Sequence, residues 1–250
     1  MPGSGVVTSS LTHAATIALR LLPRPGRQEP RASYGRNSMN ALRRFVSVRH
    51  AAYLMAIAVI VFTTVCTAAQ FWRIDLNPIR TPLSTYLRGP GGVYVRSVYY
   101  VMAIALLGFA WAIYEATVRT RRSLLASLLF AGAGLILPIV AASELFSDTP
   151  YHALAKIIHR STTLATFLWL SFGMVLLSSR WLRDQRMKEG SRFGLALAWL
   201  ATFVLWFQVL VSIFPNGLME KLAIALILLW LGWASRHLLR AAQPGLTDLS

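Results

Sequence analysis

Residues 51–72 read AAYLMAIAVIVFTTVCTAAQFW, a run of 22 positions without a charged side chain. A helix needs about 20 mainly apolar residues to cross roughly 30 Å of hydrocarbon, so this run is long enough to span a bilayer. It is too long, and too far from Met1, for an ordinary secretory signal. Further charge-free runs cover Ser97–Tyr114, Ser123–Ser143, Ser161–Ser179 and Phe193–Gly217. A sixth, Leu222–Ser235, extends to Glu220–Leu239 when its end charges reach the interfaces.

Composition agrees. The 250 residues are 56% hydrophobic and 14% charged, with a mean hydropathy of +0.54. Soluble domains carry about 25% charged residues, which disfavours an ordinary soluble enzyme. Disorder or a collagen-like repeat would need far less apolar content. The single cysteine, Cys66, excludes a disulfide scaffold and reads as a small packing residue. Unpaired backbone groups are too costly in lipid, and nothing alternates with the period of a barrel strand. The expected fold is all-α, a polytopic membrane protein with a six-transmembrane-helix bundle. Its spans lie at about 51–72, 96–115, 123–143, 155–179, 193–214 and 219–239.

The formal charge of +16 is distributed unevenly. Six spans put both termini on one side. That side carries 18 Lys and Arg, against 7 on the other, and 13 when the long N-terminal tail is set aside. The positive-inside rule makes the richer side cytoplasmic. The expected location is a bacterial cytoplasmic (inner) membrane, with both termini cytoplasmic and the bilayer as partner. No basic helix interleaves with base-stacking aromatics, so nucleic acid is not expected as a partner. Trp72, Tyr99, Tyr114, Trp181, Trp230 and Trp233 lie largely near span ends and read as an interfacial belt.

Residues 1–38 are polar and Arg-rich with one acid, Glu29. They read as a disordered basic tail, a transit peptide, or a stretch preceding a true start at Met39. Residues 39–240 form the transmembrane domain and 241–250 a short tail. No internal repeat supports an inverted-repeat transporter.

The scarce polar groups gather on the outer side. The loop Arg73–Arg96 places Ile79, Leu83, Tyr86 and Leu87 on one helical face, an interfacial helix or lid closed by Gly89-Pro90-Gly91-Gly92. Asp148-Thr149-Pro150 reads as a helix start with Asp148 as cap. Glu220 and Lys221 open the last helix, where a carboxylate favours the dipole. Glu115 and Arg119 form an i, i+4 pair, and Gln70 and Gln208 are placed to bond across helices.

Metal chemistry draws on Asp148, His152 and His159, with Asp75, Glu144 or Glu220 as further ligands. Asp148 and His152 have i, i+4 spacing, but His152 and His159 are roughly 10 Å apart in rise and cannot easily share an ion. No spacing is diagnostic of zinc. A haem between His50 and His237 is an open option that nothing in the sequence requires. No cofactor is expected.

Three segments resemble the bacterial membrane family called domain of unknown function 998. The first is Asp75 with Leu83-Ser84-Thr85-Tyr86-Leu87 and the glycines after it, similar to an Ile-Ser-x-Leu-Gly motif. The second is Phe146-Ser147-Asp148-Thr149-Pro150 with His152 and His159, similar to Phe-Pro-x-Asp and a helix-opening histidine. The third is Gly217-Leu218-Met219-Glu220-Lys221, similar to Gly-Leu-x-Gln/Glu-Arg. Leu83, Ser147 and Lys221 depart from those patterns. The resemblance covers roughly Ser47 to Leu239 and implies a six-helix membrane protein with no established activity.

The preferred functional reading is an outer mouth that binds a lipid headgroup or small polar ligand through Asp75, Ser84, Asp148, His152, His159, Glu220 and Lys221. The alternative is an outer-leaflet hydrolase or transferase, dependent on a metal or general base, with Ser84, Asp148 and His159 as candidate catalytic groups.

Overall fold

The computed structural model describes residues 31–116, 124–185, 187–211 and 215–241, with side chains from Ser47 to Arg240. The chain divides into two compact units, Met1–Leu42 and Arg43–Ser250. Of the first, only the backbone of residues 31–42 is described, as helix; the apolar bundle belongs to the second. The expectations for residues 1–30 and for the C-terminal tail beyond 241 fall outside the described residues, as does Arg119.

Six long helices make up the fold, and no strand occurs among the described residues. They are α1 (Arg31–Trp72), α2 (Gly92–Ala116), α3 (Leu124–Ser143), α4 (His152–Trp181), α5 (Ser191–Leu210) and α6 (Asn216–Ala241). Each contains a stretch long and apolar enough to cross a membrane, that of α1 beginning at Ser47. Large apolar side chains such as Ile57, Ile104, Leu135, Phe172 and Phe203 are exposed on outward faces. A soluble monomer rarely exposes so much contiguous apolar surface.

Helices α2 to α6 pack as sequential neighbours. In hydrocarbon, burying apolar surface gives little drive for association, so close fit and internal hydrogen bonds carry it. Trp230 of α6 is the hub. It is fully buried, and its Nε1–H is shared between Ser178 Oγ on α4 at 3.1 Å and the Gly194 carbonyl on α5 at 3.0 Å. Its ring stacks on Phe130 of α3 at 5.7 Å and meets Phe109 of α2 edge-on at 6.4 Å. One side chain therefore touches four other helices. This corrects the interfacial-belt expectation: Trp230, Trp181 and Tyr99 are buried, while Trp72 is exposed. A helix that is apolar all round does not reveal from sequence which flank faces its neighbours.

Helix α1 presents Ala52, Met55, Ala58, Phe62 and Cys66 as one buried stripe. Phe62 lies 5.0 Å from the Tyr99 ring of α2. Gln70 donates to the Cys66 carbonyl of its own helix at 3.2 Å, not across helices.

The 73–91 segment folds over one end of the bundle. The expected four-residue helical face is shorter than the sequence suggests. Leu83–Leu87 form a 3-10 helix that buries Leu83, Tyr86 and Leu87, and Ile79 lies outside it, exposed. Pro82 immediately precedes that turn, where its ring stops a helix from running in from Ile79. Asn77 Oδ1 instead accepts from Ile79 N–H and Arg80 N–H, fixing a separate turn.

Gly194 sets the α5–α6 spacing, because a Cβ there would overlap the Trp233 ring. That ring is packed against Trp181, Trp230 and His237, so moving it aside would disturb all three contacts. Gly194→Ala is expected to lower stability by about 1–3 kcal/mol. Gly108→Ala, whose Cβ would meet Ala51 at an ordinary 3.8 Å, is expected to be neutral or mildly stabilising. Thermal unfolding of both variants in detergent checks the pair.

Candidate functional site

Three segments that the sequence keeps far apart meet at the capped end: the 73–91 loop, the α3–α4 connection and the N-terminal part of α6. Arg73 anchors the loop, gripping Asp75 with two 2.8 Å hydrogen bonds and donating to the Arg88 carbonyl at 2.6 Å. That contact holds the Asp75 carboxyl below the usual carboxylate range. Arg96 donates to the Leu87 carbonyl. At Gly217 a Cβ would sit within 2.6 Å of the Arg80 and Thr81 backbone, so only glycine lets the loop lie against α6.

Glu144, one residue past α3, has only 5% of its side chain exposed. A carboxylate taken from water needs partners, and it has three. Arg88 Nε reaches Oε2 from the loop. Ser147 Oγ donates to the same oxygen at 3.1 Å. His159 Nδ1 of α4 lies 3.0 Å from Oε1, and also 3.1 Å from both Ser143 Oγ and the Val140 carbonyl. Among the described residues, Nε2 of His159 has no partner.

Glu220 lies just past the first turn of α6, which contains no acidic residue, and serves a different end from dipole capping. Its Oε1 accepts the Leu83 N–H of the loop at 3.1 Å. Its neighbour Lys221 donates to the Pro78 carbonyl and stands 5.2 Å above the Tyr86 ring. Burial pushes the Tyr86 phenol above its ordinary pKa, and its hydroxyl has no partner among the described residues. Glu220 and Ser84 line a chamber of about 80 Å³. Tyr99, Thr163 and Thr166 line it too, and its remaining walls are apolar. Thr163 Oγ1 is shielded from solvent and lacks a partner among the described residues. The volume is sufficient for several water molecules or a small polar group.

Of the residues singled out by sequence, the structure brings Ser84 and Glu220 into one chamber and sets Lys221 beside it. It joins His159 to Glu144. Asp75, Asp148 and His152 are exposed at the surface. The expected Asp148 cap is absent: α4 starts at His152, and Thr149 Oγ1 accepts the Tyr151 N–H at 3.3 Å. Among the described residues no three His, Cys, Asp or Glu side chains converge where they could hold a metal ion. His237, one of the two possible haem ligands, has Nε2 2.9 Å from the Met187 carbonyl and its ring stacked on Trp233. His50 is exposed. Sequence reasoning missed Arg88 and Thr163, and it left Glu144 in a secondary role. The usable signal was scarcity, since Glu144 is one of four acids in these loops.

A family model described as protein of unknown function (DUF998) matches residues 56–237, well over half of the chain. The chain belongs to the DUF998 family. The DUF998 region takes in the capping loop, Glu144, His159 and Glu220, and so all of the capped end. No curated protein and no solved structure matches the chain.

Arg88 and Glu144 should be energetically coupled. Arg88 is 44% exposed, so solvent screens its side of the pair. A cycle of Arg88→Met, Glu144→Gln and the double variant, followed by thermal unfolding, is expected to give a coupling of about 1–2 kcal/mol. Strict additivity would show that the ion pair is not formed.

Proposed function

We propose that this DUF998 protein is a multi-pass protein of a bacterial cytoplasmic membrane. In this reading its termini lie inside and its capped end binds a lipid headgroup or small polar ligand outside. The Lys and Arg asymmetry of 18 to 7 supports the orientation. The observation that carries the binding reading is Glu220, held beneath the loop in a chamber that is otherwise largely apolar. An ionisable side chain inside such a bundle is costly and is by default a functional one. A hydroxyl or amine entering the chamber would donate to the Glu220 carboxylate and meet the unpartnered Thr163 hydroxyl. At about 80 Å³ the chamber admits a small polar group only, so the rest of a lipid would lie outside it.

A second reading rests on His159. With Nδ1 committed to Glu144, the unpartnered Nε2 is the nitrogen a general base would use. A hydrolase or transferase acting through it would lose activity in His159→Gln while keeping its ligand.

Mass spectrometry of what co-purifies from native membranes tests the binding reading. One lipid class or small polar molecule should be enriched about tenfold over the bulk extract, equivalent to about 1.4 kcal/mol of selectivity. It should be lost in Glu220→Gln and Ser84→Ala. Identical profiles in wild type and both variants would sink the proposal. A reporter active only outside the cytoplasm should be silent at the C-terminus and active when inserted beside Arg80.

A further inference from the structure

Between α1 and α6 the bundle is open. A groove of about 900 Å³ runs there, at the upper end of ligand-pocket sizes. It extends along α6 from Lys221 at the capped end to Arg236, 15 residues or roughly 22 Å at the helical rise. Val59 and Phe62 of α1 wall it on one side, and Ile224, Leu228 and Trp233 of α6 on the other.

We infer that this groove is a lipid site, holding the acyl chains of an anionic phospholipid whose phosphate rests at Lys221. The inference rests on the proposal that the chain spans a bilayer, and it deepens that proposal by naming the ligand class. Three observations support it. The first is length: at roughly 22 Å the groove is long enough to take the acyl chains of one leaflet, which occupy about half of the roughly 30 Å hydrocarbon core. The second is its roof. Pro78, Ile79 and Leu83 of the capping loop overhang the capped end. A helix crossing the whole bilayer would meet that overhang, whereas a lipid stops at it, with its headgroup at the level of Lys221 and its chains below. The third is charge. The Lys221 ammonium has three donors and one goes to the Pro78 carbonyl, leaving two for phosphate oxygens.

The groove also adjoins the chamber. Phe62, Ile224 and Leu228 line both. A single layer of side chains therefore separates a lipid in the groove from Glu220 and Ser84. A small polar group of that lipid could reach the chamber past this layer without passing through the capping loop.

Photolabelling tests the inference. The full chain is reconstituted in nanodiscs of phosphatidylglycerol or phosphatidylcholine carrying a diazirine in the acyl chain, and labelled residues are mapped by mass spectrometry. Label should concentrate on residues 59–70 and 224–233, above the level at Ile104 and Phe203 on outward faces. Phosphatidylglycerol should label the groove about fivefold more than phosphatidylcholine, the attraction of one cation for an anionic lipid. Lys221→Gln, which keeps a donor for Pro78, should erase that preference. Ala225→Phe, at an exposed groove position that tolerates a larger side chain, should reduce groove labelling with both lipids and leave Ile104 and Phe203 unchanged. Even labelling of groove and outward faces would overturn the site. So would an unlabelled groove with a Thr67→Cys variant, at an exposed groove position, cross-linking between copies, because a second chain would then fill it. Groove labelling without a lipid preference would overturn the phosphate assignment. Loss of the co-purified ligand in Glu220→Gln with even photolabelling would remove the groove and leave the chamber reading standing. Concentrated labelling with unchanged co-purification would do the reverse.

Discussion

The indole N–H of Trp230 is shared between the Ser178 hydroxyl and the Gly194 carbonyl, deep among five helices. Away from water a polar group finds its partner inside the chain or destabilises it. In a bundle of apolar helices this requirement supplies specificity that apolar contact alone does not. It selects one rotation of α6, which in turn fixes where Phe130 and Trp181 stack on Trp230. Ser235 and Thr166 meet the same requirement within their own helices, donating to the carbonyls of Leu231 and Thr162.

The same constraint builds the capped end. Glu144 and Glu220 both lie where helices emerge, and each is satisfied by the loop that covers them. Arg88 reaches Glu144, and the Leu83 N–H reaches Glu220. The loop is thus held at separate points by groups that would otherwise be unpaired, and Arg73 fastens its base. Thr163 Oγ1 and the Tyr86 hydroxyl lack partners among the described residues at the capped half of the bundle, and Ser171 Oγ lacks one further along α4. The chamber lies in the capped half, and a ligand would find both acceptors and donors in it.

The six helices were legible because hydrocarbon thickness imposes a length scale that charge-free runs reveal directly. Ser84, His159, Glu220 and Lys221 were legible as scarce polar groups delivered to one side by helix count. What escaped was pairing. Arg88 and Glu144 are 56 residues apart, and no periodicity links a loop arginine to the carboxylate that ends a helix. Asp148 had the composition of a cap, yet α4 begins past it at His152 with no side-chain cap. Trp230 was misread because its position along the helix was visible while its direction around the helix was not. The groove was invisible for the same reason: both of its walls are as apolar as the helix faces that pack tightly.

The central claim is that the chamber under the capping loop is a binding site and not a packing fault. An experimental density map from crystals grown in a lipidic mesophase tests this most directly. The account predicts non-protein density between Ser84, Thr163 and Glu220, within hydrogen-bond reach of the Glu220 carboxylate. A dry, collapsed chamber with Glu220 turned out to solvent would contradict it.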